Sequence, residues 1–165
     1  MRALITGSSG FIGSRLVSIL EAEGVDVKEV KHKALGRCFD GIDSFIRDIK
    51  PDVVFHLAGL FRSTNVYEMI EANCLYAAKL LDALKSQEID CRIVLMGSAA
   101  EYGIVEESAL PIREDQHPRP ETPYGISKLS QTMIGLSFAA DGMDVVIARP
   151  YNVLGVGMSE FLAIS

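Results

Sequence analysis

Tyr124 and Lys128, four residues apart in Tyr124-Gly-Ile-Ser-Lys128, place a phenol near an ammonium just after the helix-start signal Thr122-Pro123. On a helix that spacing puts both side chains on one face. A phenol of pKa ~10 is a poor base at neutral pH, and a fixed positive charge beside it stabilises the phenolate. Lowering that pKa by roughly three units takes about 4 kcal/mol, which the lysine and a bound cationic ring could share. Tyr124 could then exchange a proton with a substrate hydroxyl or carbonyl. The competing reading is a surface helix that merely carries a Tyr and a Lys.

At the other end of the chain the apolar run Ala3-Leu-Ile5 leads into Thr6-Gly-Ser-Ser-Gly-Phe-Ile-Gly13 and then a helical pattern. Strand, glycine loop, helix is the order a dinucleotide site needs. Gly7 allows a tight turn, Gly10 lets the backbone approach a pyrophosphate, and Gly13 permits close packing of helix on sheet. Backbone N–H groups at the helix start then face the phosphates. Gly7, Ser9, Gly10, Phe11, Ile12 and Gly13 are therefore candidate cofactor contacts, with GxxGxxG rather than GxGxxG spacing.

On these two motifs together the chain resembles the extended short-chain dehydrogenase/reductase family, the NAD-dependent epimerase/dehydratase group that works on nucleotide sugars. Further pieces follow in the family's order. Pro51-Asp-Val-Val-Phe-His-Leu-Ala-Gly59 looks like its fourth strand and HxAG turn, which puts Leu57, Ala58 and Gly59 against the cofactor. Asn73, then Val94-Leu-Met-Gly-Ser98-Ala-Ala-Glu-Tyr-Gly103, the Tyr/Lys pair, and Arg149-Pro-Tyr-Asn152-Val-Leu-Gly155 complete the set.

The resemblance implies a catalytic set of Ser98, Tyr124, Lys128 and Asn73. Ser98 would donate to a substrate oxygen as charge develops. Tyr124 would be the general acid/base, and Lys128 would lower its pKa and hold the nicotinamide ribose. Asn73 would keep a water relay in place or merely satisfy backbone groups. Asn152 resembles a contact to the substrate's diphosphate, and His56 reads as a packed strand-end residue. Dehydratases of the family carry an Asp-Glu pair directly after the catalytic hydroxyl. Here stand Ala99-Ala100, and a methyl cannot replace a carboxylate, so dehydration is not expected. Glu101 falls one place too late, with its side chain expected to point elsewhere. A 4-keto reductase acting on GDP-4-keto-6-deoxymannose and a nucleotide-sugar 4-epimerase both remain. A non-catalytic NAD(P)-binding sensor or scaffold is the alternative, although such proteins commonly lose the Tyr or Lys.

Composition suits an enzyme domain. Net charge is −6, which argues against nucleic-acid or anionic-membrane partners, since both need a basic patch. No apolar run approaches the roughly 20 residues that span a bilayer. Met1-Arg2 leads straight into the first strand, so no secretory signal is expected. Cys38, Cys74 and Cys91 are widely spaced and odd in number, which suits reduced thiols in a cytoplasm and gives no metal site.

Strand and helix patterns alternate without repeats, which predicts a Rossmann-type α/β fold: a doubly wound parallel sheet in three layers. Strands are expected at Arg2–Thr6, Val25–Lys31, near Cys38–Phe39, Val53–Leu57, Arg92–Gly97 and Val145–Arg149. Helices are expected at Phe11–Glu23, Ile42–Lys50, Tyr67–Ser86 and Pro123–Ala140, the first and last stopped by Gly24 and Gly142. Residues 1-150 would form the NAD(P)-binding domain. Residues 151-165 would begin a substrate lobe that is largely missing, because family members are considerably longer. Lys31, His32 and Lys33 at the end of the second strand favour NADP over NAD, with Glu29 the acidic alternative and Asp40 near the adenine. Relatives dimerise through the two helices Tyr67–Ser86 and Pro123–Ala140, so a homodimer is expected.

Overall fold

The computed structural model describes residues 1–30 and 41–158. Its frame is a parallel sheet of β1 (Arg2–Thr6), β2 (Asp26–Val30), β3 (Val53–His56), β4 (Arg92–Met96) and β5 (Val145–Ala148) in the order β2-β1-β3-β4-β5. The chain therefore winds outward from β1 in both directions. Right-handed crossovers put the helix of the first direction on one face and those of the second on the other. Accordingly α1 (Phe11–Ala22) lies against β1 and β2, whereas α2 (Ile42–Ile49), α4 (Tyr76–Ser86) and α5 (Pro123–Ala140) pack on one another in series. This is the doubly wound three-layer architecture expected from the alternation.

β1 is the central strand, and Ala3, Leu4 and Ile5 are all fully buried, as a parallel strand covered on both faces requires. Leu4, Val54, Ile93 and Leu95 of the sheet meet Ile42 and Ile46 of α2 and Leu80, Leu81 and Leu84 of α4 in the main core. The first and last helices stop as expected, with Gly24 and Gly142 in left-handed backbone just beyond them.

The expected helix Tyr67–Ser86 is the main departure. It starts one residue earlier and is divided into α3 (Val66–Ile70), a π turn (Glu71–Leu75) and α4. Asn65 caps it by accepting from the Tyr67 N–H. The wide turn has a cause outside the helix. Asn73, at its centre, is fully buried and bonds both backbone groups of Leu60, accepting from its N–H at 2.6 Å and donating to its carbonyl at 2.9 Å. Register brings the strand ends level: Thr6 is opposite His56, so Gly7 and Leu57 leave the sheet side by side. The strand expected near Cys38–Phe39 lies outside the described residues, as do Lys31 and Asp40.

Leu80→Ala tests this core. Removal of a fully buried leucine is expected to lower the unfolding free energy by about 2–5 kcal/mol at unchanged denaturant slope. A loss under ~1 kcal/mol in urea titration would contradict the packing described.

Candidate active site

Chain reversal in strand order at β1 opens a crevice between the carboxyl ends of β1 and β3, the place where open α/β sheets bind ligands. Gly7 sits there with φ +72°, and a Cβ on it would come within 2.6 Å of the Ala58 nitrogen. Only glycine fits. Gly13 lies so close to the Gly7 carbonyl that a Cβ would collide with it, and 2.8 Å from the Ser8 Cα. These approaches press α1 onto the loop and leave its first amides facing the crevice.

The resulting cleft has a volume of about 430 Å³. Gly7, Gly10, Phe11, Ile12 and Gly13 form one wall, with Leu57 and Gly59; Asn73, Ser98, Tyr124, Lys128 and Asn152 line the other side. Ser9 and Ala58 line a neighbouring hollow of about 230 Å³ with Gly7, Gly10 and Val30. So the catalytic, glycine-loop, Leu57–Gly59 and Asn152 candidates named from sequence converge on two adjoining cavities, while Lys31, His32, Lys33 and Asp40 fall outside the described residues. A glycine-walled cradle leading to a site with a hydroxyl, a phenol and an amine fits a dinucleotide.

Local signals place each group. Thr122 caps α5 by accepting from the Gly125 N–H at 3.0 Å, and Pro123 follows at the first position. Tyr124 and Lys128 then share a face. Ser98 caps the short 3-10 turn Ala99–Glu101; its hydroxyl accepts from the Ala100 N–H at 3.1 Å and stands near enough to the Tyr124 phenol to bias its titration.

This chain belongs to the NAD dependent epimerase/dehydratase family, whose pattern matches residues 3–163. The family members it resembles include GDP-6-deoxy-D-mannose reductase of Pseudomonas aeruginosa, 32% identical over 99% of this chain and 56% of the relative. UDP-glucose 4-epimerase of Azospirillum brasilense is 33% identical over 93% of this chain and 49% of that protein. The solved structure of RMD from Pseudomonas aeruginosa complexed with NADPH superposes with a TM-score of 0.81 at 31% identity, covering 97% of this chain and 55% of that one. The chain thus spans about half the length of the relatives it matches.

Within this epimerase/dehydratase frame the electrostatics differ from the simple sequence picture. Burial raises the Tyr124 phenol above its ordinary value, opposed by the Ser98 hydrogen bond and reinforced by the charge of Glu101. The expected lowering by Lys128 is not the controlling influence. Lys128 is itself buried, its ammonium donates to Gln131 Oε1 at 2.9 Å, and desolvation brings it down to about 8. His56 is fully buried beside Thr6 Oγ1 at 2.8 Å, and desolvation, aided by the Lys128 charge, lowers it to about 3, so it is neutral.

Asn73 commits both amide hydrogens, to the Leu60 carbonyl and to Ser127 Oγ, and Ser127 in turn donates to the Tyr124 carbonyl at 2.7 Å. Its side chain is a clamp between the loop after β3 and the start of α5. Sequence reasoning missed two neighbours, Gln131 and Phe61, and the surroundings of a third, Glu101. Gln131 holds Lys128 and donates to the Met96 carbonyl; the i, i+3 spacing from Lys128 was the available signal. Phe61 meets the Tyr124 ring edge-on, centroids 5.0 Å apart. Glu101 is fully buried and ion-paired with Arg149 at 2.8 Å.

A lysine that titrates near 8 when folded and ~10.4 when unfolded binds fewer protons in the native state over that window. Stability therefore rises with pH from about 8 to ~10 on its account, since the cost of the buried charge is present below and relieved above. The difference in unfolding free energy between wild type and Lys128→Met, followed in urea from pH 7 to 10, is expected to move in favour of wild type by roughly 2–3 kcal/mol. A pH-independent difference would contradict the buried, desolvated ammonium.

Proposed function

We propose that this chain carries the NAD(P) site and acid/base machinery of a nucleotide-sugar oxidoreductase, a 4-keto reductase or a 4-epimerase. The observation that carries this reading is a single cleft walled by the glycine loop on one side and by Ser98, Tyr124 and Lys128 on the other. The nicotinamide, when bound, supplies or accepts the hydride at the sugar carbon.

The chain's own residues do the rest. Gly7, Gly10 and Gly13 let backbone amides reach the pyrophosphate, and Leu57, Ala58 and Gly59 face the same crevice from β3. Tyr124, kept protonated by burial, donates its proton to a keto oxygen in reduction, or takes one from a hydroxyl in the oxidising direction. Ser98 steadies that same oxygen as charge develops on it. Lys128, a cation at neutral pH beside Gly59, holds ribose hydroxyls and stabilises the phenolate left behind. Asn152, which lines the cleft from the loop after β5, contacts the substrate's diphosphate in this reading.

Ala99 and Ala100 line the cleft where an eliminating enzyme needs carboxylates, and Glu101 is locked to Arg149. Dehydration therefore lacks that carboxylate pair after Ser98. Residues 1-150 serve as the dinucleotide domain, and 151-165 lead toward a substrate lobe that selects the sugar. Exposed Ile126, Met133 and Leu136 on α5 and Leu75 beside α4 supply an apolar face for a homodimer. NADP is preferred over NAD through Lys31.

Tyr124→Phe tests the reading. Assayed for NADPH-dependent reduction of GDP-4-keto-6-deoxymannose and for interconversion of UDP-glucose with its 4-epimer, the variant is expected to lose about 10²-fold or more in turnover with dinucleotide affinity retained. Undiminished turnover would sink the assignment of Tyr124, and a chain that binds dinucleotide without ever turning over would favour a sensor.

A further inference from the structure

Glu101 is fully buried while the other carboxylates among the described residues lie largely at the surface, and both of its oxygens are occupied. Oε1 accepts from the Ser98 backbone N–H at 2.9 Å, and Oε2 accepts from Arg149 Nε at 2.8 Å. Gly97 makes room for this: a Cβ there would come within 2.5 Å of Glu101 Oε1 and 3.2 Å of Arg149 Cγ. Arg149 further donates to the Tyr102 hydroxyl at 3.3 Å and lies over its ring, 5.3 Å from the centroid. The two loops are also joined by the Ala99 N–H donating to the Pro150 carbonyl at 3.0 Å.

We propose that Glu101 is a positioning residue: held by Arg149, its carboxylate fixes the Ser98 backbone so that the Ser98 hydroxyl is aimed at Tyr124, and ties that turn to the loop bearing Asn152. The inference rests on the reading of Ser98 and Tyr124 as the acid/base pair. Two constraints make the geometry specific. The Ser98 N–H is fixed by the carboxylate while its own oxygen accepts from the Ala100 N–H, so the backbone and χ1 of Ser98 are both determined. Its hydroxyl hydrogen is then left free toward the cleft that Tyr124 also lines. A buried ion pair adds little net stability compared with apolar residues of the same size, so stability and positioning can be separated by experiment.

The test replaces the pair by Glu101→Met/Arg149→Met and follows the Tyr124 resonance in protein labelled with [13Cζ]tyrosine, assigned by its loss in Tyr124→Phe. Ser98→Ala is introduced into the wild type and into the paired variant, so the effect of the serine on Tyr124 is read in both backgrounds. Non-additivity is the signature of one residue acting through another. The expected result is a cooperative thermal melt in the paired variant with the Ser98→Ala shift reduced to about a quarter or less. The same full-sized shift in both backgrounds would overturn the proposal. Should the paired variant not fold, Glu101→Gln keeps a carbonyl acceptor and drops the charge; the shift is then expected to fall by about half, and an undiminished shift overturns the proposal equally. Titration of the same samples with NADPH reports separately on the functional reading. No binding with a lost Ser98 effect rejects that reading and supports the positioning; binding with an intact effect does the reverse.

Discussion

The close approach of three backbones at the end of β1 is the constraint on which the site depends. Gly7 lies against Leu57 and Ala58, and Gly13 against Gly7 and Ser8, so that loop, helix α1 and the turn after β3 occupy space that no side chain could share. The shortage of side-chain volume at this point is what makes a cradle for a large anionic ligand. Register carries the constraint further: because Thr6 pairs with His56, the two turns emerge level, and Thr6 Oγ1 accepts from the Ala58 N–H at 3.2 Å while meeting His56 Nδ1 on its other side. A neutral His56 completes that contact without a charge to solvate.

From the cradle outward, the side lined by Ser98, Tyr124 and Lys128 is held by polar side chains that reach across elements. Asn73 clamps the loop after β3 to α5, Gln131 joins Lys128 to the end of β4, and Glu101 joins the turn after β4 to Arg149 at the end of β5. Each of these side chains is fully buried and hydrogen-bonded. Isolated, each would be costly. Together they place a hydroxyl, a phenol and an ammonium around one cavity, and the burial that rigidifies them also sets their protonation, upward for Tyr124 and downward for Lys128.

Sequence periodicity located the five described strands and most of the helices, since β1, β3, β4 and β5 read as apolar runs and Gly24 and Gly142 mark true helix ends. The glycine loop and the Tyr124/Lys128 pair were legible because their placement is a matter of local spacing. What escaped is non-local. Glu71-Ala-Asn-Cys-Leu75 has an ordinary helical pattern, and the π turn exists because Asn73 answers to Leu60 and Ser127. Glu101 was expected to point elsewhere and does not line the cleft, but its destination was not legible. It points behind Ser98 because Arg149, 48 residues later, supplies its counter-charge. No rule of alternation covers a turn that is neither strand nor regular helix.

Calorimetric titration with NADPH and with NADH, repeated on Gly10→Asp, tests the central claim most directly. A Cβ on Gly10 would already meet the Gly7 carbonyl at 3.2 Å, and a carboxylate there would face the pyrophosphate. The account predicts saturable binding of a nicotinamide dinucleotide by the wild-type chain, tighter for NADPH, and its loss in the variant. Equal affinity in the variant, or no binding of either dinucleotide to a folded wild-type chain, would contradict it.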